Sequence, residues 1–139
     1  MRLLAISDLH IGYPENRAYA DALAPADPDD WLIVAGDVGE VFADVGFVLA
    51  SLANRFARVI WVPGNHELWT LPSDPVAVRG VARYEALVKV CRRFGILTTA
   101  FTPVFKHASC QIVFRLFFIS FPADAKGELQ PGLLSFVPA

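Results

Sequence analysis

The apolar residues of this chain fall into short unbroken runs separated by longer stretches of helical spacing. Leu3-Leu4-Ala5-Ile6, Trp31-Leu32-Ile33-Val34-Ala35 and Val59-Ile60-Trp61-Val62 contain no polar residue. A strand covered on both faces needs apolar side chains on both, so these runs predict buried parallel strands over residues 2–7, 31–35 and 59–62. Trp31 and Trp61, lying inside the runs, are expected in the core. Between the second and third runs, Val45, Val48, Leu49, Leu52 and Phe56 recur at helical spacing, with Asp44 placed to cap the start. A longer helix is predicted from about 76 to 94, with Val78, Val81, Leu87, Val88, Cys91 and Phe94 as its stripe and Gly95 as its stop. Arg79, Arg83, Lys89, Arg92 and Arg93 lie largely off that stripe and are expected to face solvent. Residues 15–23 carry a weaker helical pattern, and Pro25 and Pro28 then mark a surface turn. Strands alternating with helices make this an α/β chain.

After Thr102 the pattern changes. Residues 103–139 hold five charged side chains, Lys106, Arg115, Asp124, Lys126 and Glu128, and four prolines. Residues 113–121 read as a strand, and 127–139 show no clear period. The chain therefore divides into 1–102, with regular α/β patterning, and 103–139, a divergent apolar tail.

Each of the three apolar runs ends in a polar cluster: Asp8-Leu9-His10, Gly36-Asp37, and Gly64-Asn65-His66-Glu67. Asp8 to Asp37 is 29 residues and Asp37 to Asn65 is 28, close to one strand-helix-strand unit each. Loops at the carboxyl ends of parallel strands converge on one crevice. Two carboxylates, an imidazole and a carboxamide would meet there, which is a metal site in outline. Alone, each cluster has a plainer reading: a solvated Asp at a strand end, an Asp capping the next helix, a Gly-Asn turn. Asp8 and His10, two apart on an extended strand end, would point the same way and grip one cation. Asn65 offers a neutral oxygen, His66 can transfer a proton near neutral pH, and Glu67 would orient that imidazole.

Composition narrows the classes. The 139 residues fit one domain with a real core, and 55% are hydrophobic against 19% charged. A net charge of -2 gives no basic stripe for nucleic acid. No run reaches the roughly 18 apolar residues of a membrane helix, and no secretory leader pattern is present. Two cysteines without a CxxC pair fit a reduced, cytoplasmic setting.

Together, and in this order, the three clusters resemble the calcineurin-like metallophosphoesterase family, over roughly residues 1–97. The resemblance implies a metallophosphatase-type αββα sandwich, of which this chain carries the first half. It implies that Asp8 and His10 bind a first divalent metal, that Asp37 bridges two metals, and that Asn65 binds the second and reaches the phosphate. It implies that His66 protonates the leaving oxygen, held by Glu67, as a metal-bridging hydroxide attacks a phosphomonoester or phosphodiester of a small molecule or phosphoprotein. Mn, Fe and Zn all suit such mixed oxygen and nitrogen donors. The family pattern continues with a later His ligand and a Gly-His-x-His motif, and this sequence has only His107 left. At most one well-held metal is therefore expected, with impaired activity. The tail is expected to reflect truncation or a disrupted frame. A non-catalytic scaffold keeping the same fold is the alternative. Tyr13 and Arg17 would touch phosphate or lie in a solvated loop, and Trp69 would line the substrate mouth or pack.

Overall fold

The structure, a computed structural model, describes residues 1–98 throughout, and the strands Val104–His107, Cys110–Val113 and Leu133–Phe136 by their backbone. In chain order the elements are β1 (Leu3–Ile6), α1 (Pro14–Ala22), β2 (Trp31–Ala35), α2 (Phe42–Ala53), β3 (Arg58–Val62), a single 3-10 turn (His66–Leu68), α3 (Gly80–Arg93) and β4 (Leu97–Thr98). The three later strands are β5 (Val104–His107), β6 (Cys110–Val113) and β7 (Leu133–Phe136). Residues 114–121, most of the strand expected after Cys110, lie outside the described residues, as does much of 127–139.

The sheet runs β4-β3-β2-β1-β7. Its first four strands are parallel, and β7 joins β1 antiparallel, Leu3 opposite Phe136. β5 and β6 pair separately as an antiparallel ribbon. Parallel neighbours need crossovers, and α1, α2 and α3 supply them, placing the three polar clusters at one end of the sheet.

The core lies against one face. Leu4, Ile6, Leu32, Val34, Val59 and Trp61 meet Val45, Val48, Leu49 and Leu52 of α2 and Leu87, Val88 and Cys91 of α3. Trp61 is fully buried and stacks on Tyr84, with ring centroids 6.4 Å apart. Trp31, expected beside it in the core, is only half-buried, because alternate residues of β2 face opposite ways. Burial pushes the Cys91 thiol up to about 12, so it stays protonated and inert.

Three local expectations change. α2 starts at Phe42 with Val41 before it, so Asp44 lies inside the first turn and pairs with Arg17 at 2.6 Å rather than capping. α3 starts at Gly80, not at 76. The Asp74 carboxylate accepts the Val76 N–H at 2.9 Å and holds that stretch as a loop with Val78 exposed, and Val81, in the first turn of α3, is exposed as well. Arg83, expected to face solvent, is fully buried.

A paired carboxylate at the foot of the sheet gives a pH prediction. Asp30 accepts from the Arg2 guanidinium, from the Arg2 N–H at 2.7 Å and from the N–H groups of Ala26 and Asp27. The Arg2 side chain above all holds this carboxyl well below the usual carboxylate range. A folded value below the unfolded one means the pair stabilises the fold above about pH 4 and loses that contribution as pH falls toward the folded value. The Tm of the wild-type chain should therefore drop between pH 5 and 2.5 more steeply than that of Asp30→Asn. Parallel curves would rule this out.

Candidate metal centre

The site begins where β1 ends. Leu9 and Ile11 turn into the core, at 0% and 4% exposure, so Asp8 and His10 between and before them face outward. The backbone is not the extended strand end expected from the spacing. Asp8 has φ 55 and His10 φ 42, both left-handed, and Asp37 at the end of β2 has φ 53 after Gly36 at φ 85. Non-glycine residues in this region cost on the order of 1–3 kcal/mol each, and they persist only where the surroundings overdetermine them. Here the surroundings are a ladder. Asp8 N–H donates to Gly36 O at 3.2 Å, His10 N–H to Asp37 O at 3.0 Å, and Ile11 N–H to Val38 O at 2.9 Å. The first two loops are thus stitched together beyond the strands that carry them.

The third loop is locked to the second by close approach and by Glu67. A Cβ on Gly36 would sit 2.7 Å from the Cα of Gly64, and one on Gly64 would collide with Asp37. The Glu67 carboxylate, fully buried, accepts the N–H groups of Asp37 at 3.1 Å, Val38 at 3.0 Å and Gly64 at 3.1 Å. Burial pushes that carboxyl above the usual range against the pull of these donors. Its work is to tie two loops together, and its recorded partners are backbone N–H groups rather than the His66 ring.

The side chain beside His66 is Glu40, which the sequence reading missed. His66 Nδ1 lies 2.6 Å from Glu40 Oε1, and His10 Nδ1 lies 3.9 Å from the same oxygen. A carboxylate three residues after Asp37, on the same loop, was the available signal.

His10, Asp37 and His66 each bring a ligand atom within 4.8 Å of the other two. The rings of His10 and His66 meet edge to face, centroids 4.6 Å apart, and the His66 N–H donates to Asp37 Oδ1 at 3.1 Å. Asp8 adjoins this group, its Oδ1 3.9 Å from His10 Nε2. Asn65 is exposed just before the 3-10 turn, its carbonyl accepting from Leu68 N–H at 3.1 Å. Two imidazoles and a carboxylate, all half-buried and converging, are a donor set that fits a divalent first-row metal. Trp69 lies beside this group: 49% exposed, its ring is 4.0 Å from that of His66. Tyr13 is exposed, and Arg17 is engaged with Asp44. His107 is on β5, where only the backbone is described.

A parallel α/β sheet whose strand-end loops gather histidines and carboxylates is the architecture of a metal-dependent enzyme. The chain belongs to the calcineurin-like phosphoesterase family, whose model matches residues 1–127. It is similar to the [Acyl-carrier-protein] phosphodiesterase PptH of Mycobacterium tuberculosis, with 54% identity over 96 residues, 69% of this chain and 30% of that protein. The crystal structure of phosphopantetheinyl hydrolase (PptH) from the same organism superimposes with a TM-score of 0.75 at 48% identity, covering 81% of this chain and 40% of that one. The chain thus spans less than half the length of the relatives it matches. Among the described residues no helix is long and apolar enough to cross a membrane.

Proposed function

We propose that this chain carries metal-binding motifs of a phosphodiesterase acting on a phosphopantetheinyl group borne by an acyl carrier protein. The observation that carries the reading is the convergence of His10 and Asp37 on strained, mutually bonded loops, with Asp8 3.9 Å from His10 and the His66 ring within reach of both. The relative's name supplies the substrate class, and 54% identity over 96 residues, 69% of this chain, supports its transfer. A cytoplasmic setting fits such a carrier.

Asp8, His10 and Asp37 would hold a first divalent ion, and Asp37 and Asn65 a second. When bound, such ions cancel phosphate charge and acidify a water molecule. The chain's own residues do the rest. Asp37 orients His66 through its N–H, at 3.1 Å. Glu40, its Oε1 2.6 Å from the ring Nδ1, accepts a hydrogen bond from Nδ1–H and fixes the ring, so the second ring nitrogen can hand a proton to the leaving oxygen. Trp69 lies over the imidazole on the open side, an apolar wall that excludes water and faces the organic part of the ester. Three donors for one ion against two for the other make the first ion the better held.

The test is turnover by the purified chain with Mn²⁺ on phosphopantetheinylated acyl carrier protein and on bis-p-nitrophenyl phosphate, beside Asp37→Asn. Release of the phosphopantetheinyl group by the wild type but not by the variant is expected. A folded chain that cleaves neither ester would replace this reading with a non-catalytic scaffold. Trp69→Ala should raise KM several-fold with kcat nearly unchanged, since it removes contact area common to bound substrate and transition state. A loss confined to kcat would assign Trp69 a different task.

A further inference from the structure

Behind the site lies a buried cation that the chemistry above does not use. Arg83 on α3 is 0% exposed and spends its guanidinium on the backbone of the two loops that carry the site. Its Nε donates to Glu67 O at 2.6 Å and one Nη to Glu40 O at 2.5 Å. Both Nη groups also reach Asp74 Oδ2 at 3.0 Å, and one reaches Val76 O at 3.4 Å. The Phe42 ring lies over the guanidinium carbon, 5.6 Å from centroid to carbon. Asp74 in turn accepts the Phe42 N–H at 2.9 Å. The segment from Glu40 to Phe42 is therefore held at both ends, its first carbonyl by Arg83 and its last N–H by Asp74. Glu67, immediately after His66, is held by the same guanidinium.

We propose that Arg83, paired with Asp74, is a positioning residue that sets the contact between Glu40 and His66. It touches neither imidazole nor substrate, and it acts by fixing the backbone from which both partners of the 2.6 Å contact project. Arg suits the task because its planar fork serves several acceptors at once, whereas a Lys ammonium keeps the charge but not the fork. A pair kept only for stability would be replaceable, since a buried ion pair is often no better than apolar residues of like volume. The proposal rests on the phosphoesterase reading for its consequence in turnover, though not for its structural content.

The experiment uses the full chain labelled with ¹⁵N, with the His66 ring signals assigned by their loss in His66→Asn. In Arg83→Lys the His66 Nδ1 signal should move toward its position in Glu40→Gln, at one fixed pH. With bis-p-nitrophenyl phosphate, Arg83→Lys should lower kcat about tenfold or more at unchanged KM, the scale typical of losing an outer partner. In the Glu40→Gln background the same change should cost nothing further, because the two act in series. A folded Arg83→Lys with an unmoved His66 signal, or additive losses with Glu40→Gln, would overturn the proposal. Should Arg83→Lys not fold, the paired variant Arg83→Met with Asp74→Leu is read the same way. If neither folds, the pair is a folding element alone and the proposal is wrong. A wild type without turnover would sink the phosphoesterase reading, and the ring signal would still decide the positioning role.

Discussion

Asp37→Asn should abolish Mn²⁺ binding and phosphodiester turnover together, each by at least about 100-fold, since even outer partners of a metal ligand are worth up to that factor. Asp37 is the residue on which all three loops converge. Its carbonyl accepts the His10 N–H at 3.0 Å, its N–H donates to Glu67 at 3.1 Å, and its Oδ1 accepts the His66 N–H at 3.1 Å. Asn preserves the volume and one acceptor oxygen, so the fold and the backbone ladder survive. What it removes is the negative charge at the point where the three loops meet. Metal affinity measured by calorimetry and turnover on bis-p-nitrophenyl phosphate check both halves. An Asn variant that keeps either would take Asp37 out of the metal centre.

Among the described glycines, Gly64→Ala meets the tightest contact and should damage both fold and site. A Cβ there collides with the Asp37 Oδ1 and comes within 2.5 Å of its N and 2.8 Å of its Cγ. The backbone N has no flexible end that could swing aside, so the two loops must part. Overpacking of this kind costs about 1–3 kcal/mol, which should lower Tm by several degrees. Separation of the loops would also stretch the three bonds that Glu67 makes to Asp37, Val38 and Gly64. Turnover should therefore fall further than the stability loss alone explains. At Gly95 φ is 67 and no atom lies within 4 Å of an added Cβ, so Gly95→Ala is the control: strain without collision, a modest Tm loss and intact metal binding.

Much of the framework was readable in the chain itself. The apolar runs marked β1, β2 and β3 because a parallel sheet needs uninterrupted hydrophobic strands. The polar clusters at their ends pointed to one crevice because strand-end loops share one edge of such a sheet. Arg83 was also within reach. It stands four residues before Leu87 and eight before Cys91, on the same row of α3, so the helical period placed it inward. It was misplaced because a charge is normally expected in water. The start of α3 was misjudged for a comparable reason, since periodicity continues through residues 76–79 and only the Asp74 side chain shows that they form a loop.

The existence of β1, β2 and β3 and the placing of a polar cluster at the end of each thus follow from local pattern, which is a property of neighbours in sequence. Partner choice within the site does not. Glu67 was expected to hold His66 because it is adjacent, yet adjacent residues on a tight turn point apart, and Glu67 turns inward to three backbone N–H groups. Glu40, 26 residues away, takes the imidazole instead. The left-handed backbone at Asp8, His10 and Asp37 likewise exists only because hydrogen bonds from distant loops sustain it. Those contacts join residues brought together by folding, so tertiary structure alone could decide them.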